Sequence, residues 1–171
     1  MAGMTQFRIR QAESHADIAI VRSLFLEYEG TLGINLCFQG FEKELADLPG
    51  AYAPPDGALL IAETIDAMVA GCVAMRPLED HACEMKRLYV KPEFRKAGLG
   101  DLLVQKIVQA SGQHGYGTIR LDTLPSMESA IRLYERFGFR DIPPYRLNPV
   151  AGTRYMALDL GGRDKRSQET R

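Results

Sequence analysis

The chain has 171 residues, 46% of them hydrophobic, and carries 21 Lys and Arg against 22 Asp and Glu for a formal net charge of −1. That length suits one compact domain with a real core, and the balance of charge excludes a global field that would hold nucleic acid or an anionic membrane, so any anion site has to be local. No run approaches the roughly 18 apolar residues of a membrane span, and the first residues lack an apolar targeting core, which predicts a soluble, cytoplasmic protein.

Alternation of Phe7, Ile9 and Gln11 with Arg8 and Arg10 predicts a first strand. Ser14 and Asp17 then form a capping signal for a helix whose buried stripe is Ile18, Val21, Phe25, Tyr28 and Leu32, with Glu27 and Glu29 off it. A second, shorter helix carries Phe38, Phe41, Leu45 and Leu48 and stops at Pro49-Gly50, ahead of a Pro- and Gly-rich loop over 49–57. The apolar runs 58–63 and 67–75 read as an antiparallel hairpin covered on both faces. Residues 83–90 predict the next strand, and Leu99, Leu103, Ile107 and Ala110 recur at helical spacing up to Gly112 and Gly115. A strand over 118–124 follows, then a helix that Ser126 caps, bearing Met127, Ala130, Ile131, Tyr134 and Phe137, and two last strand segments at 139–142 and 153–159.

A hairpin meander followed by alternating strands and helices predicts a mixed α/β (α+β) sheet rather than a fully parallel one. One domain over 1–160 is expected, with a polar, disordered tail over 161–171. Cys37, Cys72 and Cys83 are an odd count at wide spacing, which argues against a disulfide framework and predicts small buried residues in a reducing compartment. His81, Cys83 and Glu84 lie close in sequence, but no second ligand pair at zinc spacing accompanies them, and no metal site is expected.

The strongest local signal is the run from Cys83 through Gly100, a strand feeding a turn that opens a helix. Gly98 and Gly100 let the backbone come close to an anion while successive N–H groups and the positive end of the helix dipole point at it, and Arg95 and Lys96 add positive charge. A tight turn capping a helix would carry the same glycines. Neither common phosphate-loop pattern is met, since no Lys-Ser or Lys-Thr follows Gly100 and position 103 is Leu. The pattern present is Arg95-x-x-Gly98-x-Gly100, and further on Ala130-Ile131-Arg132-Leu133-Tyr134-Glu135-Arg136-Phe137-Gly138-Phe139 forms a tyrosine-bearing helix that ends in Gly-Phe. In these two blocks, their order and their distance, the chain resembles the GNAT superfamily of acyl-CoA-dependent N-acetyltransferases.

The resemblance implies a single-domain GNAT-like fold: a mostly antiparallel central sheet with one splayed parallel pair, flanked by about four helices. It implies acetyl-CoA as co-substrate, with the pyrophosphate on the turn of Arg95, Lys96, Ala97, Gly98, Leu99 and Gly100. The pantetheine arm would lie along Leu88, Tyr89 and Val90, and an N–H near Val90 would donate to the thioester oxygen. Many relatives place an Asn where this chain has Met127, so Ser126 or Ser129 would supply that contact. Tyr134 would sit near the coenzyme sulfur as a phenol able to donate a proton or hydrogen bond to a thiolate. Read from sequence alone, Tyr134 is a core tyrosine on the apolar helix face, a ranking that the resemblance reverses.

Glu84 is the candidate base. Period-two alternation puts it on the same face as Lys86, Leu88 and Val90, and partial desolvation would raise its pKa toward neutrality. The alternative is that it pairs with Lys86, Arg87 or another cation at the sheet surface. The acceptor side, by the same resemblance, draws on the first helices and the C-terminal segment, here Tyr28, Tyr145 and Asn148, with Glu27, Phe38 and Arg146 beside them. Rigid segments Ile142-Pro143-Pro144-Tyr145 and Asn148-Pro149 could line a pocket mouth or form a solvated loop.

The function expected is acetyl transfer from acetyl-CoA to a primary amine of a small molecule or peptide, with a homodimer left open. A non-catalytic acyl-CoA sensor and a nucleotide-binding protein are the competing readings. The first keeps the cradle without the chemistry, and the second rests on the glycine turn alone.

Overall fold

A computed structural model describes residues 4–161, apart from the side chains of Phe38 and Gln39. The tail expected from 161 onward lies, past Gly161, outside the described residues. Strand β1 (Phe7–Gln11) leads through Ser14 into helix α1 (His15–Leu32). The Ser14 hydroxyl accepts from the Asp17 N–H while Asp17 reaches back to the Ser14 N–H, completing the expected capping box. α1 buries Val21, Leu24 and Phe25.

The second helix is broken where one element was expected. Residues 36–39 form a 3₁₀ turn, Gly40 takes φ +68, and α2 (Phe41–Asp47) restarts from it. Then come β2 (Ala58–Thr64), β3 (Val69–Pro77), β4 (Ala82–Val90), α3 (Leu99–Gln113), β5 (Thr118–Thr123), α4 (Glu128–Arg136), β6 (Arg140–Asp141) and β7 (Arg154–Asp159). Helix α4 differs from expectation at its start: its N-cap is Met127, without a side-chain cap, so Ser126 is not the capping residue.

All seven strands form one sheet in the order β1-β2-β3-β4-β5-β7-β6. Among the described residues every pairing is antiparallel except β4 with β5, which is the mixed α/β arrangement expected. β2 and β3 are apolar on both faces because both faces are covered. Leu60, Val73 and Met75 pack beneath Leu103, Val104 and Ile107 of α3. Leu59, Ile61, Cys72 and Ala74 pack against Val21, Leu24 and Phe25 of α1. Each Leu, Ile, Val, Phe or Met so removed from water contributes about 1.5–3 kcal/mol, so two helical layers hold the middle of the sheet from both sides.

Cys72 and Cys83 are buried as expected, whereas Cys37 is exposed, a correction that follows from its place on the 3₁₀ turn. Among the described residues no helix is long and apolar enough to cross a membrane, and no group of three His, Cys, Asp or Glu residues could hold a metal ion.

Candidate active site

The site begins where two strands part. The parallel ladder of β4 with β5 has three rungs, Ala82 with Thr118, Cys83 with Ile119 and Glu84 with Arg120. Beyond Glu84, β4 runs on to Val90 with no ladder to β5, leaving a V whose vertex is Glu84. A bulge accompanies the opening. Across from β3, Cys72 pairs with Tyr89 and Ala74 with Lys86, so Arg87 and Leu88 together oppose Val73, and Arg87 takes φ +59. An extra residue re-aims every side chain after it. Leu88 and Val90 therefore pack on the α3 side with Cys83 and Met85, while Tyr89 packs on the α1 side. The expectation that Glu84, Lys86, Leu88 and Val90 share one face is corrected: the alternation holds up to Lys86 and inverts at the bulge.

At the far end of β4 a 3₁₀ turn over Pro92–Phe94 leads into the glycine turn. Lys96 adopts φ +64 and Gly98 φ +79, and α3 starts at Leu99 with no side chain capping its N-cap. Its first N–H groups thus remain available to an anion. Arg95 donates from Nε to the Val90 carbonyl oxygen at 3.1 Å.

Two adjoining grooves run along this edge. One, of about 440 Å³, is lined by Leu88, Tyr89, Val90, Arg95, Ser126 and Ser129 among others. The next, of about 400 Å³, continues past Lys96, Gly98, Leu99 and Gly100 to Arg132 and Arg136 of α4. Val90, Arg95, Gly100 and Ser129 line both, so the surface is continuous. Of the residues expected around the coenzyme, Ala97 and Tyr134 are not among those lining this surface. Arg132 and Arg136 were not anticipated. They sit four residues apart on one helix face, a spacing visible in the sequence but indistinguishable there from a wet surface.

Glu84 is fully buried. Its Oε1 receives Arg76 Nε at 2.9 Å and lies 3.8 Å from Lys86 Nζ. Its Oε2 accepts the Tyr145 hydroxyl at 2.6 Å and also pairs with Arg146. Burial pushes the carboxyl upward, but Lys86, Arg146, Arg76 and the Tyr145 hydroxyl together outweigh it and hold Glu84 below the ordinary carboxylate range. The expected rise toward neutrality is therefore corrected. Burial also pulls Lys86 down to about 7, against the pull of Glu84.

Above the vertex, a narrow cleft between the strands is lined by Tyr28, Lys86, Arg87, Asp122, Met127 and Asn148, with apolar neighbours. Arg87 is clamped by Glu44 at 2.9 and 3.0 Å and lies 5.8 Å from the Tyr28 ring centroid. Asn148 donates from Nδ2 to Asp122 Oδ2 at 3.2 Å. Asp122 is the carboxylate that sequence reasoning missed; alternation along β5 marks it only as one more polar position. Tyr134, from α4, is 5% exposed, with its ring 5.8 Å from that of Phe139. Burial first, then Tyr28 and Asp122, push its phenol well above its ordinary value. Tyr28, Asn148 and Asp122 thus meet at one cleft, with Tyr134 within the field of Asp122, while Tyr145 stands at the vertex.

Comparison with known proteins matches this geometry. The acetyltransferase (GNAT) family profile matches residues 21–139. An uncharacterized N-acetyltransferase of Schizosaccharomyces pombe is 42% identical over 145 residues, 84% of this chain and 89% of that one. One from Dictyostelium discoideum is 30% identical, covering 82% of this chain and 93% of its own length. A GNAT acetyltransferase from Staphylococcus aureus superimposes with a TM-score of 0.75 at 19% identity, over 91% of this chain and 99% of that one, and so shares the fold. With family profile, relatives and fold in agreement, the chain belongs to the GNAT superfamily of N-acetyltransferases and is an acyltransferase.

Proposed function

We propose that this domain, residues 1–160, transfers an acetyl group from acetyl-CoA to a primary amine of a small molecule or peptide within a ternary complex. The observation that carries the reading is the continuous groove from the glycine turn along Leu88–Val90 toward the V between β4 and β5. The residues present suit the coenzyme. Uncapped N–H groups at the start of α3, with Arg95, Lys96 and Arg132 around them, suit a pyrophosphate, and the edge of β4 at Leu88–Val90, which carries no ladder to β5, suits an amide-bearing arm. Ser126 and Ser129 offer hydroxyls beside it. Three free thiols suit the reducing cytoplasm.

When bound, acetyl-CoA supplies the activated thioester, whose C–S bond breaks as the amine forms a C–N bond. The chain supplies the rest. Asp122, steadied by Asn148, is the carboxylate in the cleft able to take the proton that the amine sheds. Tyr134, its phenol raised by burial, serves the leaving sulfur as a hydrogen-bond donor more readily than as a full acid. Tyr28 and Asn148 line the acceptor side.

The test is thiol release from acetyl-CoA over a panel of polyamines, amino acids, aminoglycosides and lysine peptides, with Asp122→Asn alongside. Release that depends on one acceptor class and falls at least about a hundredfold in the variant is expected. Intact acetyl-CoA binding with no release from any amine would favour the sensor reading.

A further inference from the structure

The buried ionic cluster around Glu84 reaches into a segment that has no regular structure of its own. Residues 142–153, between β6 and β7, turn three polar side chains inward. Tyr145 and Arg146 both reach Glu84 Oε2, and Asn148 reaches Asp122. Leu147, between them, is 91% exposed. The segment is braced from behind as well. Tyr155 of β7 donates its hydroxyl to the Arg146 carbonyl oxygen at 3.0 Å, and its ring stands edge-on to Tyr145 at 5.5 Å. The Val150 N–H closes on Asn148 Oδ1 at 3.0 Å, fixing the amide that holds Asp122.

These contacts have a geometric meaning. Glu84 is the last residue of β4 paired with β5, and Asp122 lies on β5 beyond the point of divergence, so one segment is fastened both at the vertex of the V and to its β5 arm. Both Glu84 oxygens are already engaged by the chain itself: Arg76 pairs with Oε1, and Tyr145 and Arg146 pair with Oε2. A protonated Glu84 would leave Arg76 and Arg146 facing a neutral group in a buried site.

We propose that Glu84 is a positioning residue: through Tyr145 and Arg146 it fastens 142–150 across the V as the wall of the acceptor cleft, and so sets affinity for the amine rather than the rate of transfer. This rests on the acetyl-transfer reading of the cleft given above.

The test compares Glu84→Gln and Tyr145→Phe with the parent chain, using whichever panel amine is acetylated fastest. Both variants are expected to raise KM for that amine about tenfold or more, while kcat stays within about threefold, the acid limb of the kcat–pH profile is kept, and acetyl-CoA affinity is unchanged. Amide exchange at 145–150 should quicken in both. If Glu84→Gln instead lowers kcat by about a hundredfold or more at unchanged KM and erases the acid limb, while Tyr145→Phe is silent, Glu84 is a base and the proposal is overturned. If Glu84→Gln does not fold, Tyr145→Phe, which removes one hydroxyl, decides by itself. If no amine on the panel reacts, the acetyl-transfer reading is what fails. Exchange still judges the fastening, since faster exchange at 145–150 supports it and unchanged exchange overturns it.

Discussion

Arg95 donates from Nε to the carbonyl oxygen of Val90 at 3.1 Å, so the cation of the glycine turn is tied to the last residue of the strand it follows. Truncating it removes both a charge beside the α3 N-terminus and the link between turn and strand. Arg95→Ala is expected to weaken acetyl-CoA binding about tenfold to a hundredfold, the scale of a lost charge-assisted hydrogen bond, in a calorimetric titration. Gly98→Val should do the same by another route, because φ +79 is a conformation that branched residues avoid. Unchanged affinity in both variants would refute the placement of the pyrophosphate.

Tyr134 separates binding from chemistry. Its ring packs within the core against Phe139, and Phe in its place keeps that contact while removing the hydroxyl. Tyr134→Phe should leave acetyl-CoA affinity within about twofold and lower kcat about a hundredfold, as steady-state kinetics with saturating amine would read. Equal turnover would leave Tyr134 as a core residue only.

Much of this was legible in the chain because the signals are local. Ser14 and Asp17 announce their capping box three residues apart, Gly98 marks a left-handed N-cap, and the two motif blocks carry the family. The bulge at Arg87 was not legible, since a positive φ at an arginine has no sequence signature. That one residue moved Leu88 and Val90 to the other face. Asp122 was hidden for a related reason, and Glu84, though named from the sequence, could not be assigned there between a base and a partner of cations. Whether a strand carboxylate faces a cleft or a cluster of arginines depends on Arg76, Arg146 and Asn148, whose arrival is decided by the topology of β3 and of the segment after β6.

The close passage of β3 along β4 makes a prediction of its own. A Cβ on Gly71 would run into the Tyr89 carbonyl oxygen and stand 3.3 Å from the Val90 Cα, both backbone atoms. Backbone cannot swing aside as a side chain can, so Gly71→Ala must push β4 outward where the pantetheine arm is proposed to lie. The variant should lose about 1–3 kcal/mol of stability in urea unfolding. Its acetyl-CoA affinity should fall although Gly71 lines neither groove, and a fully stable variant with normal affinity would contradict this account of the strand edge.

Stability in acid should hinge on Asp17. Its carboxylate accepts both guanidinium NH groups of Arg10, at 2.8 and 2.9 Å, as well as the N–H groups of Glu13 and Ser14, and Arg10 in turn holds Glu63 across the β1–β2 pair. Arg10, then the Glu13 and Ser14 N–H groups, hold the Asp17 carboxyl well below its usual range. A carboxyl depressed in the folded state binds its proton more tightly in the unfolded chain. Its contribution is therefore complete above the unfolded pKa of about 3.9 and drains away as pH falls through the folded value. Asp17→Asn should cost about 1–2 kcal/mol at pH 7, on the scale of a lost helix cap, and the gap between variant and parent should narrow steadily below about pH 4. Unfolding curves at a series of pH values would show it, and a gap that stays constant down to pH 2 would mean that Arg10 and Asp17 pair without stabilising the fold.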